Sequence, residues 1–317
     1  MADIKLNDKA KRIADHLAAL GGSLRIEVKH LANGTRILDC GVVSEGGLQA
    51  GIGLAKLCTS GLAEIELVPG KLGDIEWPFV QVHTDWPVAA CMASQYAGWQ
   101  ISVGKYFAMG SGPMRAAYGK EELFDRIGYR EHASHVIGVL ESRKLPSEEV
   151  SEYLAGKLDL EPSQITLAVA PASSLAGTVQ VVARSVETAL HKLHDLGFDL
   201  GQVVSGYGTA PLPPTAADEV EAIGRTNDAI LYGGHVVLWV RSSDERLKEI
   251  GPRVPSCSSS DYGAPFSAIF ERYHRDFYKM DPHLFSPAAV TFVNLTTGRR
   301  HRFGATDHGI LMHSFGS

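Results

Sequence analysis

An arginine and a glutamate three residues apart are the first candidates for chemistry in this chain. Arg184 and Glu187 lie in a stretch whose apolar residues recur at helical spacing, which predicts a helix over residues 179–196. Both side chains then fall on the face opposite the apolar stripe and can touch. A surface ion pair of this kind contributes about 0–1 kcal/mol, and spacing alone favours that structural interpretation.

A second group of candidates lies in the stretch 77–115, which holds three of the four tryptophans of the chain. Within it, a helix is predicted over residues 88–96, because the preceding proline suits a first helical turn. Its polar side chains include Ser94, Gln95, Ser111 and Arg115. A flat heterocyclic ligand needs aromatic faces for stacking and amide or hydroxyl groups for hydrogen bonds at its edge. An ordinary aromatic core has the same composition, so spacing alone leaves both interpretations open.

Phosphate and metal signals are weak in this sequence. Gly110-Ser111-Gly112-Pro113 follows a predicted strand and could present backbone N–H groups to an anion, but no GK[ST] follows it. A plain tight turn is therefore favoured. His132 and His135 give an HxxH spacing without the HExxH pattern, and the four cysteines form no CxxC pair. We predict no metal site.

Three later segments, 226–234, 261–266 and 281–287, are rich in Asn, Asp, Gly and Pro. These residue types indicate turns first of all. Loops at a cleft also carry binding groups more often than their share of the chain. The residues alone therefore indicate structured loops and leave their role open.

The elements that must position these groups alternate along the whole chain. Asn33-Gly34 and Thr297-Gly298 predict the turns of two hairpins. Predicted strands and helices are mixed from end to end, which indicates an α/β fold in the broad sense, an α+β mixture included. We expect two such domains, an N-terminal domain over residues 1–160 and a C-terminal domain over residues 161–317. A cleft between the two domains would be the expected ligand site.

Composition excludes several classes of protein. The 317 residues are 44% apolar and carry a net charge of −6, which argues against a general nucleic-acid binder with a basic face. Apolar runs are shorter than the roughly 20 residues that a membrane span needs. The first twenty residues lack the uninterrupted apolar stretch of a signal peptide. We therefore expect a cytoplasmic protein without a membrane or nucleic-acid partner.

Several motifs together resemble the methenyltetrahydromethanopterin cyclohydrolase family. Each motif is weak alone, but they run in order over nearly the whole chain, and the joint match is highly specific. The motifs are Asp39-Cys40-Gly41 with Glu45-Gly46-Gly47, Gln81-Val82 through Cys91-Met92-Ala93-Ser94-Gln95-Tyr96-Ala97-Gly98-Trp99, Phe107-Ala108-Met109-Gly110-Ser111-Gly112-Pro113, Ala183-Arg184-Ser185-Val186-Glu187, Leu196-Gly197-Phe198-Asp199, Asn227-Asp228, Asp261-Tyr262-Gly263 and Phe285-Ser286-Pro287.

The resemblance implies hydrolytic ring opening of 5,10-methenyltetrahydromethanopterin to the 5-formyl compound, by a homotrimer whose subunits bind the pterin between two α/β domains. It also implies catalytic roles for Arg184 and Glu187, against the surface-pair interpretation. The methenyl group is already a cationic electrophile, so the reaction needs no metal, redox cofactor or other prosthetic group. In this hypothesis Glu187 takes a proton from water and returns one to the departing nitrogen, and Arg184 holds Glu187 as a carboxylate.

The other polar positions of these motifs are our candidates for contact with the substrate. Lys105, Arg115 and Lys120 are further candidates for an anionic tail of the pterin carrier. The predicted substrate-binding residues are Ser94, Gln95, Tyr96, Ser111, Arg115, Asn227, Asp228, Asp261 and Tyr262.

Three other interpretations remain at this stage. A tetrahydrofolate enzyme of the same reaction type is disfavoured because no GxGxxG motif follows a predicted strand. A protein that binds a pterin or folate one-carbon carrier without turnover is disfavoured by the presence of both Arg184 and Glu187. A purely structural α/β oligomer leaves the clustered polar and aromatic block unexplained.

Overall fold

A computed structural model of the chain describes residues 4–316. The chain forms two compact units. The first unit runs up to Ala63 and continues over Ala89–Gln180, and the second comprises Glu64–Val88 and the residues from Val181 onward. Each unit contains one of the two sheets of the protein, so each unit is built from two separate segments of the chain. The sequence prediction had instead divided the chain once, near residue 160.

The strands of the described residues alternate with helices, which confirms the predicted mixed α/β class. In chain order the strands are β1 (Glu27–His30), β2 (Arg36–Asp39), β3 (Glu64–Leu72), β4 (Ile75–Thr84), β5 (Trp99–Val103), β6 (Tyr106–Ser111), β7 (Val136–Glu141), β8 (Ile165–Ala170), β9 (Val203–Pro211), β10 (His235–Val240), β11 (Ala289–Asn294) and β12 (Arg300–Gly304).

The helices cover both ends and the middle of the chain, and short 3₁₀ turns join several of them. The α-helices are α1 (Leu6–Ala19), α2 (Gly21–Leu24), α3 (Leu48–Cys58), α4 (Met114–Tyr118), α5 (Glu122–Ile127), α6 (Glu148–Leu158), α7 (Leu175–Val182), α8 (Ser185–Asp195), α9 (Glu219–Leu231), α10 (Asp244–Ile250), α11 (Phe266–Arg272) and α12 (His308–Ser314).

The first unit is built on a six-stranded sheet in the order β1-β2-β8-β7-β6-β5. β8 lies parallel to both β2 and β7, and the remaining neighbours are antiparallel. Alternate residues of β7 point to opposite faces, so Ile137 and Val139 join one apolar cluster with α1 and α3, while Val136 and Leu140 join another with α6. Helices therefore cover both faces of this sheet.

The second unit is built on a six-stranded sheet in the order β12-β11-β10-β9-β4-β3. Only β10 and β11 pair in parallel among the strands of this sheet. The β3–β4 hairpin belongs here because β4 pairs with β9, from Phe79 opposite Pro211 to Thr84 opposite Gly206. α8 and α9 pack on the sheet, and α11 and α12 pack on α9.

Two helical predictions need correction. The continuous helix expected over 179–196 is broken at residues 183 and 184, where Arg184 N–H donates to the Val181 carbonyl at 3.1 Å and a new helix starts at Ser185. The helix expected over 88–96 is a π-helix, Val88–Gln95, whose next N–H, on Tyr96, reaches back to the Cys91 carbonyl at 2.8 Å. π-Helical turns are frequently found at functional sites.

The motif beginning at Asp39 forms a tight loop before α3. Burial alone would raise the pKa of Asp39, but hydrogen bonds from the backbone N–H groups of residues 41–44 hold it below its usual value. Gly46 follows in a left-handed conformation, at φ +63°, where a Cβ would overlap the Cys40 carbonyl. This motif fixes the entry into α3.

Among residues 4–316, no helix has the length and apolar character to cross a membrane. Nor does that part of the chain contain a group of three or more His, Cys, Asp and Glu side chains with the geometry to hold a metal ion.

Candidate active site

The arginine and glutamate that the motifs singled out lie at the start of α8. Arg184 occupies the N-cap position and Glu187 lies in the first turn, 7% and 4% exposed respectively. That burial excludes the surface ion pair that spacing alone favoured. The first turn of a helix presents unbonded N–H groups and the positive end of the helix dipole, so it stabilises a carboxylate. The break at residues 183–184 is what places Glu187 there.

Two glycines of β9 bring this end of α8 close to the sheet. A Cβ on Gly206 would lie 2.7 Å from Val186 Cγ1, and one on Gly208 would overlap the Ser185 hydroxyl. Glycine within a strand is typical of places where other atoms approach the backbone closely. The close packing fixes the two residues that lie between Arg184 and Glu187.

The far end of α8 is anchored by a buried lysine that sequence reasoning missed. Lys192 is 1% exposed, and its Nζ donates to the His283 carbonyl at 2.5 Å and to Ser258 Oγ at 3.3 Å. Burial lowers the pKa of Lys192 to about 8. A lysine on a helix is normally exposed to solvent. Neither the residue type nor its position in the sequence therefore predicted this buried contact.

Five of the predicted binding residues lie in the first unit, around the π-helix. Ser94 and Gln95 are completely buried at its end, and Tyr96 follows half-buried. Ser94 Oγ donates to the Cys58 carbonyl at 2.5 Å. Ser111 ends β6, and its hydroxyl lies 3.5 Å from the Cys58 sulfur and donates to the Val139 carbonyl at 3.3 Å. Both hydroxyls point into the unit.

Arg115 is completely buried in α4, the largest side chain to be so. Its guanidinium pairs with Glu121 through two nitrogens, donates to the Met92 carbonyl at 3.1 Å and lies 4.8 Å from the centre of the Tyr96 ring. A desolvated guanidinium over a ring is a stabilising cation–π contact. Arg115 therefore orients Tyr96 and the π-helix, whereas the sequence suggested a direct contact with an anionic tail.

The other four predicted binding residues lie in the second unit, on α9 and the loop before α11. Asn227 donates to the Ile223 carbonyl at 2.8 Å. Asp228 is completely buried and accepts from Phe266 N–H at 2.8 Å and Ser314 Oγ at 2.6 Å. Burial raises the pKa of Asp228 to about 7.

Asp261 and Tyr262 are held by the surrounding loops. Asp261 accepts from the Tyr273 hydroxyl and the Asp281 N–H, both at 2.8 Å. The half-buried Tyr262 ring lies 5.0 Å from the buried Tyr232 ring, and burial raises the pKa of both phenols to about 12. Tyr262 thus offers an aromatic face on a rigid support.

Two mixed sheets flanked by helices, with an arginine and a carboxylate at the start of a buried helix, are features of an α/β enzyme. The chain belongs to the family whose model is described as cyclohydrolase (MCH), which matches residues 5–315. The family resemblance predicted from the motifs is thereby confirmed.

Relatives that are similar over most of the chain carry one name, methenyltetrahydromethanopterin cyclohydrolase. The relative from Rhodopirellula baltica is 49% identical over 89% of this chain and 86% of its own. The relative from Methylobacillus flagellatus is 44% identical over 98% and 95%. The relative from Methanococcoides burtonii, a third example, is 43% identical over 99% and 98%.

Proposed function

We propose that this protein is a methenyltetrahydromethanopterin cyclohydrolase that opens the 5,10-methenyl ring of its substrate with water and leaves a formyl group on N5. The observation that supports it most strongly is the near full-length similarity to relatives with that name. A pterin-binding protein without turnover is the alternative, and the buried Arg184 and Glu187 argue against it.

The mechanism that we propose begins with the carboxylate of Glu187. The methenyl carbon is an amidinium carbon, and Glu187 accepts a proton from water as the oxygen bonds to that carbon. Glu187 then returns the proton to N10 as the bond from this carbon to N10 breaks, and the new hydroxyl group loses its own proton to solvent as the formyl carbonyl forms. Overall, one water is consumed and one proton is released. Arg184 orients the Glu187 carboxylate throughout and keeps it ionised before the attack.

In this proposal the predicted substrate-binding residues fall into two groups, those that contact the pterin and those that hold these contacts in place. Gln95, Tyr96 and Tyr262 supply the amide edge and aromatic faces that a pterin needs. Asn227 and the loop around Asp261 supply further hydrogen bonds. Ser94, Ser111, Arg115 and Asp228 hold these groups in place, because their polar atoms bond within their own unit. That the pterin binds between two domains stays a prediction.

The remaining parts of the proposal come from the family resemblance and from the composition of the chain. We propose a cytoplasmic homotrimer that uses the pterin carrier as substrate and needs no prosthetic group. No nucleic-acid or membrane partner is expected.

Loss of the methenyl absorbance band in purified protein tests the proposal. We expect rapid loss with the wild type on methenyltetrahydromethanopterin and none on the tetrahydrofolate analogue. Glu187→Gln should retain its fold and lose activity by about 10²–10⁴-fold, the usual contribution of a general base. Glu149→Gln is the matched control, since Glu149 is an exposed glutamate in the first turn of α6.

The outcomes separate the alternatives. Folded wild-type protein that binds the pterin without consuming it would establish the carrier-binding function instead. Near-normal turnover by Glu187→Gln would remove Glu187 from the role of base while leaving the reaction assigned.

A further inference from the structure

The end of α3 has a serine where helices usually have glycine. The Ser60 N–H bonds to the Leu57 carbonyl at 3.0 Å and the Gly61 N–H to the Lys56 carbonyl at 2.8 Å, which is the Schellman arrangement. In this arrangement the first residue past the helix is left-handed, and Ser60 has φ +54°. A side chain makes that conformation unfavourable, so Ser60 is strained where glycine would not be.

The side chain of Ser60 takes part in a buried relay of hydroxyl groups. Ser60 Oγ lies 2.9 Å from Ser94 Oγ, and Ser94 Oγ donates its proton to the Cys58 carbonyl. The Ser94 proton is thereby used, so the Ser60 hydroxyl must donate to Ser94. Cys58 is the last residue of α3, so its carbonyl lies beyond the helix hydrogen bonds and takes the Ser94 proton instead. All three residues are about 0% exposed.

Ser94 is the point through which this relay reaches the predicted binding residues. Its carbonyl accepts from the Gly112 N–H at 2.9 Å, and the π-helix ends one residue later at Gln95. Tyr96 follows directly. A shift of Ser94 would therefore move Gln95 and Tyr96 together with the glycine turn after β6.

We propose that Ser60 is a positioning residue for pterin binding, acting through Ser94 on Gln95 and Tyr96. The inference rests on the proposed function, because it assumes that Gln95 and Tyr96 contact the pterin. The strained backbone is retained because glycine at this position would remove the hydroxyl that completes the relay.

Two substitutions separate the hydroxyl from the backbone conformation. Ser60→Ala removes the hydroxyl and keeps the strain, whereas Ser60→Gly removes both. We expect each to raise KM for methenyltetrahydromethanopterin by about five- to tenfold, the effect of one buried hydrogen bond, with little change in kcat. Ser60→Gly should do so even though it relieves the backbone. In a Ser94→Ala background, Ser60→Ala should add no further effect.

The control for left-handed strain is Asp159→Gly. Asp159 is an exposed left-handed residue at φ +57° after α6, where the same backbone relief occurs away from the relay. We expect this variant to keep the wild-type KM.

Hydrogen exchange of the Tyr96 amide gives a readout that does not depend on turnover. We expect faster exchange of the amide that bonds to Cys91 in both Ser60 variants and wild-type exchange in Asp159→Gly. Unchanged exchange, or a wild-type KM in Ser60→Gly, would overturn the positioning role. If wild-type protein has no turnover, the proposed function fails, and KM is replaced by the dissociation constant for the pterin, on which the same expectations apply.

Discussion

Asp228 is a carboxyl group that two neutral donors hold inside the second unit. Its hydrogen-bond donors are the Phe266 N–H and the Ser314 hydroxyl. Asp228 therefore joins the last turn of α9 to the start of α11 and the end of α12. Because burial penalises the charge, its pKa is raised to about 7. The protonation of this one group therefore changes within the neutral range, beside the loop that carries Asp261 and Tyr262.

The raised pKa predicts a specific dependence of stability on pH. Between about pH 4 and pH 7 the unfolded chain loses the Asp228 proton and the folded protein keeps it, so rising pH favours unfolding by about 1.4 kcal/mol for each unit crossed. Asp228→Asn cannot ionise and should lack this term. We expect the stability of the variant relative to wild type to rise from pH 4 to pH 7 and to show no further change above pH 7. The prediction would be contradicted if the melting temperatures of the two proteins changed in parallel with pH across that window.

The motifs predicted the residue types of the candidate site but not all their surroundings. Arg184 and Glu187 could be chosen because the family resemblance outweighed their spacing. The inward contacts of Arg115 could not be predicted from the sequence, because Met92 and Glu121 come close to it only in the folded unit. The sequence does not show whether a basic side chain faces solvent, a ligand or the interior of the protein.

At the scale of elements, the position of α8 depends on how closely it approaches β9. Gly208→Ala would force a methyl group against Ser185, and it would lie 3.0 Å from Val186 Cγ2. We expect a loss of about 1–3 kcal/mol in stability, the usual cost of overpacking, together with a lower kcat because Glu187 shifts with its helix. Chemical denaturation and initial rates measure the two effects.

The matched control for this substitution is Gly156→Ala in α6. No atom lies within 4 Å of a Cβ at Gly156, so alanine should stabilise the helix by about 0.4–1 kcal/mol and leave turnover unchanged. A Gly208→Ala protein as active as this control would show that the close packing does not position Glu187.

Helix and strand types could be predicted because apolar periodicity is local, and the hairpins at β1–β2 and β11–β12 followed from their turn residues. The break before Ser185 could not, since the same apolar stripe continues on both sides of it. The π-helix differs from the expected helix by one residue in each hydrogen bond, and residue types do not encode that difference.

At the scale of the whole molecule, the proposed trimer makes a direct prediction. We expect sedimentation to give a particle of three times the chain mass of 34.1 kDa that persists on dilution. Most soluble oligomers are homo-oligomers with closed symmetry, and a trimer of this chain would be one of them. A particle of one chain mass with full activity would show that the subunits act alone.

The mixed fold class and the presence of two units could be predicted from the alternation of elements. The division of the chain between the units could not, because it depends on one distant pairing. β3 and β4 precede most of the first unit in the sequence, yet β4 pairs with β9, where Tyr207 bonds to Gln81 across 126 residues. No local pattern reports a partner that far away.

The pairing of β4 with β9 has a consequence for co-translational folding. At synthesis rates of about 5–20 residues per second, β4 waits roughly 6–25 s before β9 has been made. During that delay the first unit completes its own sheet, while one edge of the β3–β4 hairpin carries unpaired backbone groups. Such an edge can pair with another nascent chain. Slower translation lengthens the interval in which this edge stays unpaired, so the yield of native protein should depend on the rate of synthesis as well as on the stability of the finished fold.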